Sequence, residues 1–115
     1  MRRGDIFYVN FNPAQGSEAN KIRPAVIVSR NEANSYAEQS GRGTLTMVPI
    51  TSNTKFVASF QVLVSAQETG LKYDSKVQAE QIRTVSVSRV GDYIGTLNPS
   101  TLWLVDEALK LHLSL

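Results

Sequence analysis

Asn98-Pro99-Ser100-Thr101-Leu102-Trp103-Leu104-Val105-Asp106-Glu107-Ala108-Leu109-Lys110-Leu111-His112-Leu113 is the clearest element of this sequence. Asn98 can accept from the open backbone donors of a helix start. Pro99 suits the first helical position, where its missing N–H costs nothing. Leu102, Val105, Leu109 and His112 or Leu113 then recur at helical spacing. Asp106 and Lys110 can pair at i, i+4 on the other side. The reading is an amphipathic helix of about three to four turns, roughly 20 Å long at 1.5 Å per residue.

Everything upstream reads mainly as short strands. Ile6 to Phe11 is rich in β-branched and aromatic residues, and Asn12-Pro13 stops it. Ala14 to Ile22 is a small, polar loop. Ala25-Val26-Ile27-Val28 is a continuous apolar run that suits a strand buried on both faces. Asn31 to Ala37 reads as a short helix with Asn31 as its cap. Thr44 to Ile50 and Phe60 to Val64 are further strands, Ser75 to Val85 holds one or two more, and Tyr93 to Thr96 another. Nothing repeats and no linker divides residues 1–115, so one domain is expected. The fold class is mainly β (α+β): a small, curled antiparallel sheet or barrel with a C-terminal amphipathic helix.

Composition narrows the chemistry. The chain of 115 residues has no cysteine and one histidine, His112. Disulfides, thiolate nucleophiles, cysteine-based metal sites and histidine clusters are therefore excluded. No run approaches the ~18 apolar residues of a membrane span. Asp5 and Asn10 interrupt the N-terminal apolar stretch, which argues against a signal peptide and for a cytoplasmic setting. The net charge is +2, but residues 1–60 hold seven basic and four acidic residues, so an anion would meet the first half more readily.

Three segments carry candidate chemistry. Gly16-Ser17-Glu18 followed by Arg23-Pro24 puts a carboxylate and a guanidinium near one loop. They can act together on a phosphodiester or form a surface salt bridge. Pro24 restricts Arg23 toward extended geometry where the loop enters a strand. Thr51-Ser52-Asn53 follows a strand, where hydroxyls can hold a phosphate or a 2′-hydroxyl, or simply make a turn. In Glu80-Gln81-Ile82-Arg83, Gln81 and Arg83 alternate with Ile82 and would share one strand face. Trp103 reads as a packing anchor or dimer contact, and His112 as a cation at the negative end of its helix.

In order, Gly4-Asp5, Asn12-Pro13, Gly16-Ser17-Glu18, Arg23-Pro24-Ala25-Val26, Val48-Pro49-Ile50-Thr51-Ser52, Gln81-Ile82-Arg83 and the final helix resemble the MazF/PemK/Kid toxins of bacterial type II toxin–antitoxin systems. The resemblance implies an SH3-like β-barrel with a C-terminal helix, working as a homodimer. It implies a sequence-specific endoribonuclease that cuts single-stranded RNA without a metal or other cofactor, leaving 2′,3′-cyclic phosphate and 5′-hydroxyl ends. It also implies a MazE-like antitoxin that lays an extended acidic segment along the RNA groove.

Carried over residue by residue, the essential arginine and threonine match Arg23 and Thr51, and the motif glutamate matches Glu18. Arg23 would stabilise the phosphorane, and Glu18 would orient Arg23 or act as the base. Thr51 and Ser52 would hold the phosphate and the 2′-hydroxyl. Ser17, Asn34, Asn53, Phe56 and Gln81 are candidate RNA contacts, and Asp74 is the counterpart of an aspartate proposed as base in some members. Kid-type members carry an arginine two residues before that aspartate, where this chain has Lys72. Two other readings are a CcdB-like gyrase poison and a non-catalytic SH3-like binding module. CcdB toxins use a tryptophan near the extreme C-terminus, whereas Trp103 lies inside the helix.

Overall fold

The computed structural model describes residues 1–12 and 22–115. The described elements run β1 (Asp5–Asn10), β2 (Ile22–Ile27), α1 (Asn31–Ser40), β3 (Thr44–Thr51), β4 (Gln61–Val64), α2 (Ala66–Thr69), β5 (Ser75–Gln78), β6 (Arg83–Ser86), β7 (Val90–Thr96) and α3 (Pro99–Leu113). Short 3-10 turns at Ala79–Gln81 and Val87–Arg89 precede β6 and β7.

One antiparallel sheet joins the strands in the order β4-β5-β3-β2-β1-β7. β3 is long enough to serve two neighbours on one side. Its first half, Thr44 to Met47, pairs with β6, and its end, Ile50 and Thr51, pairs with β5. The barrel expected from the resemblance is not closed: among the described residues β4 and β7 end the ladder at opposite edges. The fold is therefore mixed α+β, an open seven-stranded antiparallel sheet with a C-terminal helix.

The apolar run in β2 explains why the sheet has a core on each face. Alternate residues of a strand point to opposite sides. Val26 joins Ile6, Val48, Ile50 and Val77 under Val105, Ala108 and Leu109 of α3. Ala25 and Ile27 join Val9, Phe11, Leu45 and Met47 on the other side, where Ala37 of α1 packs. α2 leans on β7 because residue 95 is glycine: an added Cβ there would overlap the Thr69 carbonyl.

Several local expectations change. Asn31 is the first residue of α1 and its side chain does not cap it; its Oδ1 accepts from the Arg3 N–H at 2.8 Å. Asn98 does precede α3, with Pro99 in the first turn, yet its side chain makes no cap bond. Instead, its backbone N–H donates to Glu68 Oε2 at 2.9 Å. Asp106 does not pair with Lys110. It takes a bidentate ion pair from Arg3, at 3.0 and 2.5 Å, and Lys110 lies 3.5 Å from Glu107. His112 and Leu113 are exposed, so the buried stripe of α3 ends at Leu109. Among the described residues no helix is long and apolar enough to cross a membrane.

Candidate functional site

β2 and β3 bring the two central residues together. Ala25 pairs with Pro49, Val26 with Val48 and Ile27 with Met47. Arg23 lies two residues before Ala25 and Thr51 two residues after Pro49, and both line the same groove. Pro24 holds Arg23 extended for this approach. On the other side of β3, Thr51 pairs with Lys76 of β5. Residues directly opposed across antiparallel strands share a face. Thr51 and Lys76 thus share a face of the sheet.

The Arg23 guanidinium is fixed by two acceptors. It donates to Gln78 Oε1 at 2.9 Å and to the Ile50 carbonyl at 3.3 Å. Desolvation by burial pulls its pKa below the ordinary arginine value. It still serves as a cation, because a guanidinium is not deprotonated in proteins. A cation partly stripped of water and held by neutral acceptors has unspent attraction for an anion.

A groove of about 460 Å³ opens here, lined by Arg23, Thr51, Ser52, Lys72, Tyr73 and Tyr8 among others. The Thr51 hydroxyl accepts from the Asn53 N–H at 3.3 Å, which leaves its own proton to donate. Asn53 in turn accepts from the Lys55 N–H at 3.3 Å, so the segment after β3 is a built turn. Lys72 stands 5.5 Å from the centre of the Tyr73 ring. Two positive groups, hydroxyls and two aromatic rings around one groove suit a nucleotide phosphate and its base.

The remaining sequence candidates separate. Ser52, Asn53 and Phe56 lie on the loop that leaves Thr51, and all three are exposed. Ser17 and Glu18 lie outside the described residues. Asn34 is fully buried; its amide donates to the Ser29 carbonyl at 2.8 Å and its oxygen accepts from the Ser29 hydroxyl at 2.5 Å. It fastens α1 to the end of β2 and leaves no surface for a ligand. Asp74 accepts from the Ala66 N–H at 2.8 Å, so it ties down the start of α2. Gln81 and Arg83 do not share a strand face, because Gln81 closes a 3-10 turn and β6 starts at Arg83. The Arg83 guanidinium donates to the Phe11 carbonyl at 3.1 Å and lies over the Phe11 ring.

Four residues around the site were not legible as candidates. Tyr8 faces outward on β1, which the alternation of that strand would have allowed. Lys72 and Tyr73 adjoin Asp74 in sequence and line the groove in its place. Gln78 carries no signal in the sequence.

Residues 2–113 match the family described as PemK-like, MazF-like toxin of type II toxin-antitoxin system. The chain is 54% identical over 115 residues to endoribonuclease MazF9 of Mycobacterium tuberculosis, covering 100% of this chain and 98% of that protein. It is 30% identical over 116 residues to endoribonuclease EndoA of Bacillus subtilis, covering 100% and 96%. The solved structure of MazF from Deinococcus radiodurans shares the fold at a TM-score of 0.82 with 24% identity, covering 100% of this chain and 97% of that one. A mycobacterial endoribonuclease solved in complex with its cognate antitoxin does so at 0.79 with 23% identity, covering 100% and 96%. This chain therefore belongs to the PemK-like, MazF-like toxins of type II toxin–antitoxin systems.

Proposed function

We propose that this toxin is an endoribonuclease that cuts single-stranded RNA at a short sequence, without a metal, in the groove lined by Arg23 and Thr51. The observation that carries the reading is the half-buried Arg23 guanidinium, oriented by Gln78 and Ile50 in the groove that Thr51 also lines. RNA supplies its own nucleophile. The 2′-oxygen attacks the adjacent phosphorus and the bond to the 5′-oxygen breaks. The 2′-proton goes to a base and the 5′-oxygen takes up a proton, leaving a 2′,3′-cyclic phosphate and a 5′-hydroxyl. The protein has to align the 2′-oxygen in line and stabilise the crowded phosphorane. Arg23 neutralises the phosphorane charge, and the Thr51 and Ser52 hydroxyls hold the phosphate and the 2′-hydroxyl. Glu18 acts as the base or joins Gln78 in orienting Arg23. Asn53 and Phe56 contact the neighbouring bases.

The toxin works as a homodimer in this reading. The exposed Leu63, Trp103, Leu104 and Leu111 on β4 and α3 support it, since a monomer gains nothing from presenting them. A MazE-like antitoxin with an extended acidic segment would compete for the positive groove. The relatives reported above are endoribonucleases, which favours this reading over a gyrase poison or a non-catalytic module. Incubation with mixed-sequence RNA in EDTA, with cuts mapped by primer extension, tests it. Cuts at one recurring short sequence, lost in Arg23→Ala, are expected. A folded wild-type protein that cuts no RNA, or an Arg23→Ala protein that cuts as well as wild type, would overturn it.

A further inference from the structure

Among the described residues Lys76 is the only charged residue as little as 9% exposed. An ammonium withdrawn from water is costly unless it is bonded. No described carboxylate pairs with it; its bond is to the Phe56 carbonyl, at 2.5 Å. Phe56 belongs to the loop that leaves Thr51, and Lys76 is the residue opposite Thr51 on β5. The lysine therefore ties the middle of the loop back to the strand beside Thr51.

The far end of the loop is also fixed. The Ala58 N–H donates to Gln61 Oε1 and the Gln61 N–H donates to the Ala58 carbonyl, both at 3.0 Å. Yet the Phe56 ring, on the residue whose carbonyl is clamped, is 73% exposed. A clamped backbone with its aromatic ring turned to solvent is a preorganised surface, and the flat partner that fits it is a nucleobase.

We propose that Lys76 is a positioning residue for RNA: by holding the Phe56 carbonyl it sets the Phe56 ring as a stacking platform for a base beside the scissile phosphate. The inference rests on the ribonuclease reading. It assigns Lys76 no contact with RNA; the lysine acts through Phe56.

The test uses the full-length wild type, Phe56→Ala, Lys76→Met, Lys76→Arg and the Phe56→Ala/Lys76→Met double variant. Anisotropy gives binding of labelled single-stranded RNA of mixed sequence, and cleavage of the same RNA gives kcat and KM. Phe56→Ala should weaken binding about five- to a hundredfold, the range for one lost stacking contact, with the loss in KM. Lys76→Met should lose as much, the double variant no more, and Lys76→Arg should recover most of the wild-type KM. A folded Lys76→Met with wild-type KM overturns the inference, as does an unchanged Phe56→Ala or fully additive losses in the double variant. If Lys76→Met does not fold, Phe56→Ala and Lys76→Arg still decide: an unchanged KM in Phe56→Ala, or a Lys76→Arg KM as poor as that of Phe56→Ala, refutes it. A wild type that cuts RNA while these variants match it removes only this inference. A folded wild type that neither binds nor cuts removes the ribonuclease reading as well.

Discussion

The Arg23 guanidinium donates to Gln78 Oε1 at 2.9 Å, across 55 residues of sequence. The bond joins the start of β2 to the end of β5 and fixes where the guanidinium can meet a phosphate. A neutral amide orients the arginine without cancelling its charge; a carboxylate in its place would cancel it. Gln78→Ala should slow single-turnover cleavage about ten- to a hundredfold through lost alignment. Gln78→Glu should be slower still, because its carboxylate would pair with Arg23 and repel the phosphate. Equal rates for the two variants would show that alignment alone matters.

Arg23 illustrates a cost carried for function. Burial lowers its pKa, so its folded value lies below its unfolded one. The charged form is then the one penalised by folding. That penalty is present throughout neutral pH and is relieved only as pH rises past the folded value. Arg23→Met should therefore keep an unfolding free energy within about 1 kcal/mol of the wild-type value, while cleavage falls about a hundred- to a thousandfold. Although burial lowers its pKa, a guanidinium is not deprotonated in a protein at ordinary pH, so the pH–rate profile between pH 5 and 9 should contain no limb from Arg23. Any limb there belongs to another group and should persist in Arg23→Lys if that variant retains activity.

The strand positions were legible because they rest on local chemistry. The apolar run at Ala25 to Val28 and the β-branched Thr44 to Ile50 each have few alternatives to a buried strand. With Pro24 they set Arg23 near Thr51. What sequence reasoning missed depends on partners far along the chain. Asp106 and Lys110 have suitable helical spacing, yet Arg3 offers Asp106 a two-pronged fit that Lys110 cannot match. Asn34 carries an amide that reads as a base contact, but Ser29 satisfies it inside the protein. Gln81 and Arg83 alternate as a strand would, and the 3-10 turn starting at Ala79 breaks the alternation before it begins. Gln78 and Lys76 resemble any polar residues on a strand until the fold places Arg23 and Phe56 beside them.

Arg3 and Asp106 hold the N-terminal turn to α3, with both side chains about 30% exposed. Solvent screens part of their attraction, but the bidentate geometry retains some of it. Asp106→Ala should lower stability by about 1–2 kcal/mol in chemical denaturation. The loss should shrink at high salt, where the wild-type pair is itself weakened. Cleavage per folded molecule should not change, since neither residue lines the groove.

Asn34 separates a structural amide from a recognition amide. Its removal leaves the Ser29 hydroxyl and carbonyl without their buried partner. Asn34→Ala should destabilise the protein by about 1–3 kcal/mol. The cleavage sequence mapped by primer extension should be that of the wild type. A shifted cleavage sequence would return Asn34 to the RNA contacts and contradict its burial.

Gly95 links packing at the back of the sheet to the groove. A Cβ there would overlap the Thr69 carbonyl, so Gly95→Ala must push α2 away from β7. Overpacking of this kind costs about 1–3 kcal/mol. α2 leads directly into Leu71, Lys72 and Tyr73, which line the groove, so the displacement should also reach RNA. Gly95→Ala should raise KM for RNA with kcat less affected, because Arg23 and Thr51 stand on β2 and β3, outside the shifted segment. A loss confined to stability, with wild-type KM at a temperature where the variant is fully folded, would show that the Lys72 side of the groove does not hold the RNA.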